Sequence, residues 1–131
     1  MSGKRIAKPV QRRTSSSATQ LDVREVVRRL NAALGGTLVS TLAGAKDTNA
    51  AYEWAEEGGA QPGAEIVKRL MFTYEHWQKV AEAESEDLAR VWFIGANPWL
   101  DYETPVMAIR SDRLKDVSRA AQALIDDSFG G

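Results

Sequence analysis

The sequence predicts an all-α fold, and three observations carry that expectation. Apolar residues recur at spacings of three and four along most of the chain. Glycines and prolines cut the pattern at Gly35-Gly36, Gly44, Gly58-Gly59 and Gly95-Ala96-Asn97-Pro98. Nowhere do alternating β-branched residues run for five positions, as a half-buried strand requires. The 131 residues fit one domain, or one domain with a small appendage, and 44% hydrophobic against 27% charged residues excludes a wholly disordered or low-complexity chain.

The elements follow in order. Asp22 is the expected N-cap of a first helix whose stripe is Val23, Val26, Val27, Leu30, Ala33 and Leu34, with Arg24, Arg28 and Arg29 off that stripe. Thr37 is the expected cap of a short second helix carrying Leu38, Val39 and Leu42, which stops near Gly44. Asp47 or Thr48 then opens a third helix running through Glu57, with Ala51, Trp54 and Ala55 inward. Near Pro62 a long fourth helix begins, striped by Ile66, Val67, Leu70, Met71, Tyr74, Trp77 and Ala81.

Ser85 with Glu86 and Asp87 starts a fifth helix, since carboxylates suit the positive end of the helix dipole; Leu88, Val91 and Trp92 are its expected buried face. The residue before Pro98 is pushed out of the helical region, which ends it. Thr104-Pro105 is a cap followed by proline at the first helical position, opening a short helix with Val106, Met107 and Ile109. A last helix, roughly residues 113–126, carries Leu114, Val117, Ala121, Leu124 and Ile125.

Several chemistries are excluded at once. The chain has no cysteine, which removes thiolate metal sites, iron–sulfur clusters, disulfides and cysteine nucleophiles. Its one histidine, His76, falls beside the stripe of the fourth helix and reads as a satisfied or exposed helix residue. Glu53, Glu56 and Glu57 lack a metal-binding partner set, and no Walker loop, Gly-x-Ser-x-Gly elbow or Gly-x-Gly-x-x-Gly follows a strand. The expectation is a non-enzyme with no metal or cofactor. No apolar run is long enough to span a membrane and no apolar leader follows the basic N-terminus, so the expected location is the cytoplasm.

Charge is unevenly distributed under a net value of −1. Residues 1–19 hold Lys4, Arg5, Lys8, Arg12 and Arg13 and no acid, while the remaining 112 residues hold 12 basic against 18 acidic residues, a net −6. Residues 1–20 therefore read as a flexible basic arm, able to contact phosphates or serve as a solubilising tail. Residues 21–82 read as a helix-turn-helix-like domain, because the second helix, the turn near Gly44 and the third helix have the right lengths; generic helical bundles share those lengths. Residues 83–131 form a second helical region.

Trp54, then Gln61-Pro62, then the Ile66–Val80 helix resemble the Xre-type helix-turn-helix of one antitoxin group. More specifically, Arg90-Val91-Trp92-Phe93, Asn97-Pro98-Trp99-Leu100, the Thr104-Pro105-Val106-Met107-Ala108-Ile109-Arg110 segment and the Val117…Leu124-Ile125 helix resemble the Xre/MbcA/ParS-type toxin-binding domain. The resemblance covers about residues 22–127. It implies an Xre-like helix-turn-helix bundle followed by a small helical toxin-binding region, in a protein that covers the active site of an NAD-degrading RES-domain toxin and represses its own operon as an oligomer. The chain departs from the family where Asp101-Tyr102-Glu103 precedes the Thr-Pro step and where Ser111-Asp112 follows the short helix.

Candidate DNA contacts are Lys46, Thr48, Asn49 and Tyr52 on the third helix and its approach, with Arg12 and Arg13 tracking phosphates or entering a minor groove. Asn49 suits bidentate pairing with adenine. Glu53, Glu56 and Glu57 stand against Lys46 alone, and carboxylates meet phosphate repulsion. Candidate toxin contacts are Trp99 and Tyr102 around the Asn97-Pro98 turn, where aromatics otherwise serve as turn anchors, and Ser128 and Phe129 in a C-terminal tail. The alternatives to an antitoxin are a helix-turn-helix regulator without a toxin partner, of phage or prophage type, and a small helical adaptor; a homodimer or higher oligomer suits any of the three.

Overall fold

The computed structural model describes residues 22–130. The basic arm, including Arg12 and Arg13, lies outside them. Among the described residues there are seven α-helices, one 3-10 turn and no strand: α1 (Val23–Leu34), α2 (Gly36–Ala43), α3 (Ala50–Ala55), α4 (Ala64–Ala83), α5 (Glu86–Ile94), the 3-10 turn (Pro98–Leu100), α6 (Pro105–Arg110) and α7 (Leu114–Gly130). The all-α fold class is thus as expected. No helix of the described residues is long and apolar enough to cross a membrane.

Local chemistry explains most boundaries. The Asp22 carboxylate accepts from Arg24 N at 3.3 Å, Ser85 Oγ from Leu88 N at 3.1 Å and Thr104 Oγ1 from Met107 N at 3.1 Å, so α1, α5 and α6 start where their caps lie. The cap of α2 is Gly35, at φ 95°, and not Thr37. Next to it the Tyr52 ring covers Gly36: a Cβ there would lie 2.4–2.8 Å from its ring carbons and would displace the ring. Helix α3 ends at Ala55 because Glu56 turns extended, leaving Glu56 and Glu57 outside the helix. Asp47 closes the preceding turn by accepting from Asn49 N at 2.9 Å instead of capping the helix. Helix α4 begins at Ala64 after Gly63, two residues beyond Pro62.

The core runs through the whole described chain. Val26, Val27, Leu30 and Leu34 of α1, Val39 and Leu42 of α2, Leu70 and Val80 of α4, Phe93 of α5, Leu100, Ile109 of α6 and Val117 of α7 are all fully buried or nearly so. Helices on both sides of residue 82 share it: α6 packs on α2, and α7 on α4. Ser40 ties α2 to α3, donating to Gly36 O at 2.8 Å and accepting from Ala51 N at 2.8 Å.

Two faces differ from expectation. Helix α5 points Ala89 and Phe93 inward, while Leu88 and Val91 are 52% and 60% exposed and Trp92 is half-buried. Outside the sector of Glu86, Asp87 and Arg90 the helix is apolar over more than half of its circumference, so periodicity alone did not select the inner face; packing of Phe93 against Trp77, ring centroids 5.9 Å apart, does. Helix α7 buries Val117, Ala120 and Ala121, with Leu114, Leu124 and Ile125 half-buried, and it continues to Gly130 where a frayed tail was expected.

Helix C-termini are held by arginines from elsewhere in the chain. No basic residue lies in the last turn of α2 or α3. At the end of α2, Arg110 Nη1 donates to Thr41 O at 2.7 Å and Ala45 O at 3.2 Å, and Arg69 Nη1 donates to Ala43 O at 3.1 Å. At the end of α3, Arg28 Nε donates to Ala55 O at 2.9 Å, and Arg24 Nη1 to Trp54 O at 3.1 Å and to Glu56 O. These add charged donors at helix ends, where Thr41 O and Glu56 O also accept from the Gly44 and Gly59 N–H groups.

His76 is buried, at 7% exposure, between α4 and α7. Phe72 O can only accept, so Nδ1 carries the proton at 2.9 Å, and Nε2 then accepts from Ser118 Oγ at 2.9 Å. Burial lowers its pKa, opposed by the Phe72 carbonyl and Glu75 and assisted by Lys79.

Two predictions follow from this packing. Arg110→Ala leaves two part-buried carbonyls without their charged donor and should cost about 2 kcal/mol in urea unfolding; Arg110→Lys, which keeps one charged nitrogen as these single-nitrogen contacts require, should restore part of it. For His76, the unfolded chain takes up the proton more readily than the folded one, so its contribution to stability is present above the ordinary value of 6.5 and fades as pH falls below it. The thermal midpoint of the native chain should therefore drop more between pH 7.5 and 5 than that of His76→Gln.

Candidate functional site

Residues 97–103 form a closed loop that holds two aromatic side chains out into solvent. Asn97, 8% exposed, organises it: its side-chain oxygen accepts from Trp99 N at 2.9 Å, and its carbonyl accepts from Leu100 N at 2.9 Å and Tyr102 N at 2.8 Å. Asn97 N donates to Glu103 O at 3.1 Å and closes the ring of hydrogen bonds. Pro98 opens the 3-10 turn, and Leu100 plugs it into the core at 0% exposure. Arg113 reaches the loop from the start of α7, with Nη2 3.4 Å from the Asp101 carboxylate.

The backbone of this loop is strained. Asp101 and Tyr102 are consecutive residues at φ 58° and 68°, a region that non-glycine residues occupy at a cost of roughly 1–2 kcal/mol each. Neither side chain repays that cost by burial, since the Asp101 side chain is 92% and Tyr102 71% exposed. The hydrogen bonds of Asn97 and the anchor of Leu100 hold the conformation in place.

Beside the loop lies a cleft of about 390 Å³, walled by Trp92 of α5, Pro98 and Trp99, and Ala120, Ala123 and Leu124 of α7, with Asp127 at its lip. The small side chains Ala120 and Ala123 leave the indole faces accessible. The cleft is mixed in character, with Asn97 and Asp127 set among apolar walls, and it provides no nucleophile or acid–base pair.

The structure brings Trp99 and Tyr102 together on one loop. Ser128 and Phe129 lie elsewhere: Ser128 Oγ donates to Glu84 at the end of α4, and Phe129, 74% exposed, sits two positions and roughly 200° around the helix from Asp127 at the cleft lip. Lys46, Thr48, Asn49 and Tyr52 are all exposed in the turn before α3 and on its first turn. That helix has six residues, and the exposed Asp47, Glu53, Glu56 and Glu57 surround them. Among the described residues no group of three His, Asp or Glu side chains is placed to hold a metal ion.

Sequence reasoning missed the outward row Leu88, Val91 and Ile94 of α5, and it missed the left-handed pair at 101–102. No residue type signals the latter, since aspartate tolerates that conformation but tyrosine rarely adopts it. The chain matches no family model, and neither a curated protein nor a solved structure matches it.

Strain and display separate in one substitution. Tyr102→Gly relieves the left-handed backbone and removes a side chain with little packing, so urea unfolding should show a gain of up to about 1 kcal/mol. A loss of stability would mean that the Tyr102 ring is a packing element of the loop.

Proposed function

We propose that the chain is an antitoxin-type inhibitor, which binds a partner protein through the Trp99–Tyr102 loop and the adjoining cleft. The observation that carries this reading is the loop itself: two consecutive strained residues and a buried asparagine hold two exposed aromatics in a fixed presentation. Rigid, exposed tryptophan and tyrosine are the residue types that dominate protein-binding hot spots, because they cover much area at little entropic cost. The sequence resemblance over residues 22–127 supplies the partner class, a RES-domain toxin that degrades NAD, and the mode, occlusion of the toxin's active site. The C-terminal end of α7, with Ser128 and Phe129, lies on another side of that helix and serves as a second contact to a partner large enough to wrap it.

Operator binding is the secondary activity in this reading. The exposed set Lys46, Thr48, Asn49 and Tyr52 favours it. The shortness of α3, its acidic surroundings and the engagement of Arg24 and Arg28 by carbonyls weigh against strong DNA affinity without Arg12 and Arg13 of the basic arm.

The test is affinity capture of the tagged full-length chain from its native cells, in parallel with Trp99→Ala/Tyr102→Ala. A stoichiometric protein partner should appear with the native sequence, and its affinity for the double variant should fall by about 30-fold or more, the effect of losing roughly 2 kcal/mol at a hot spot. Capture of DNA with no protein partner would make the chain a bare transcription regulator. Equal capture by both sequences would move the binding site away from this loop and overturn the reading.

A further inference from the structure

A groove opens where α1 lies beside α4 and α5. Two adjoining recesses of about 650 Å³ and 440 Å³ share Ala32, Ala33, Trp77 and Glu86, so they form one depression. Its apolar part consists of small side chains, Ala32 and Ala33 of α1 and Ala81 of α4, with Trp77 buried beneath them at 8% exposure. Its polar part is acidic: Glu82, Glu86 and Asp87 are exposed along it. The ion pairs among the described residues take up none of these three carboxylates, although Glu25, Glu65, Glu75, Asp101, Asp112 and Asp116 all have cations. Of the two cations at the groove, Arg29 is already engaged by Glu25 at 3.1 Å and Tyr74 at 2.6 Å, and Arg90 stands at the far end. The groove therefore keeps a surplus of negative charge over an apolar floor.

The same chain carries a segment of matching chemistry. Residues 4–13 hold Lys4, Arg5, Lys8, Arg12 and Arg13, no acid, and the apolar Ile6, Ala7 and Val10 between the cations. The lengths agree as well. From Tyr74 to Glu82 the groove follows α4 for eight residues, about 12 Å, and five residues in extended form, such as residues 6–10, cover about 13 Å. The tether permits the approach. The described chain begins at the N-terminal end of α1, and Arg29, where the groove opens, is roughly 10 Å further along that helix. Residues 11–21 can span roughly 36 Å, more than this path requires. A segment returning along α1 in this direction brings Lys4, Arg5 and Lys8 toward Glu82, Glu86 and Asp87, and leaves Arg12 and Arg13 at the Tyr74 end.

We propose that residues 4–13 of the basic arm dock in this groove, with Ile6 and Val10 against Ala32, Ala33 and Trp77 and with Lys4, Arg5 and Lys8 opposite the three carboxylates. Few contacts suffice, because a tethered segment meets its site at an effective concentration on the order of millimolar. The attraction is electrostatic in large part, so added salt releases the arm. Cations held by the groove are withdrawn from phosphates, which sets docking of the arm against contact with nucleic acid. The docking stands independently of the inhibitor reading.

Paramagnetic relaxation in the full chain tests the docking. The chain has no cysteine, so Gly3→Cys carries a single nitroxide at the far end of the arm, where the tether alone favours no one face of the body. In about 10 mM salt the amide signals of Ala33, Ala81 and Glu82 should be lost while those of the 97–103 loop remain, and in about 1 M salt, where the Debye length is about 3 Å, they should return. Ile6→Asp/Val10→Asp, which leaves residues 22–130 unchanged, should restore the signals at low salt, as should Glu82→Gln/Glu86→Gln/Asp87→Asn. Broadening spread evenly over the body, or confined to another face, overturns the proposal, as does a loss that either variant leaves in place. A mixture of nitroxide-bearing chains with isotope-labelled chains that carry no nitroxide should show no loss. Loss in that mixture would place a second copy's arm in the groove and refute docking within one chain.

Discussion

The capping of helix ends by distant arginines is the constraint on which the rest of this structure depends. Helices α2 and α3 have eight and six residues, too short to persist alone, because a helix of that length satisfies few of its own backbone groups. Carbonyls at their C-terminal ends converge on either side of the turn at Gly44 and beyond Trp54. Arg110 and Arg69 close the first set and Arg24 and Arg28 the second. Each guanidinium bonds across 26 residues of sequence or more, so local helix ends are fixed only when the global fold is in place. Arg69 also faces Asp112, 3.6 Å away, which holds the α6–α7 turn at φ 66°. The beginning and end of the described chain are thereby locked to one another at α2.

That lock positions the candidate binding loop. The 97–103 loop is covalently bracketed by α5 and α6, and Arg113, just past the Asp112 turn, reaches back to Asp101. The loop thus rests on a frame whose own geometry is set by charged donors and buried leucines, and not on side chains that a binding partner would displace. A site held this way can keep a strained backbone, because relaxing Asp101 and Tyr102 would require giving up the Asn97 hydrogen bonds and the burial of Leu100. In the proposed inhibitor, such a frame would let the exposed aromatics meet a partner without first having to be ordered.

The fold class and most helix positions were legible in the sequence because their causes are local. Asp22, Ser85, Thr104 and the prolines at 98 and 105 act within three residues of themselves, and each does what its type predicts. What was illegible had non-local causes. Gly36 at the start of α2 lies under the Tyr52 ring, sixteen positions on. The inner face of α5 is chosen by Trp77 on α4, since apolar residues cover more of the helix than the core takes up. His76 was placed beside the stripe, yet it is buried through the carbonyl of Phe72 and the hydroxyl of Ser118, a residue 42 positions away. Of the candidate site, the presence of Trp99 and Tyr102 in one turn was legible; the left-handed backbone and the cleft with Leu124 and Asp127 depend on α7 and were not.

The use made of the basic residues also bears on what the surface can recognise. In the described chain, Arg24, Arg28, Arg69 and Arg110 are directed to backbone carbonyls, Arg29 to Glu25 and Tyr74, Lys68 to Glu65 and Asp112, Lys79 to Glu75, and Arg113 and Arg119 to Asp116. Their charge is largely compensated where it sits, while Glu53, Glu56 and Glu57 face outward near α3. A phosphate backbone is bound by releasing counterions from many uncompensated cations, and this body offers few. A protein surface makes the opposite demand: exposed aromatics, an apolar recess and a scatter of carboxylates that select against wrong partners. The electrostatics and the displayed loop thus support the proposed recognition of protein by the folded body over the proposed operator binding.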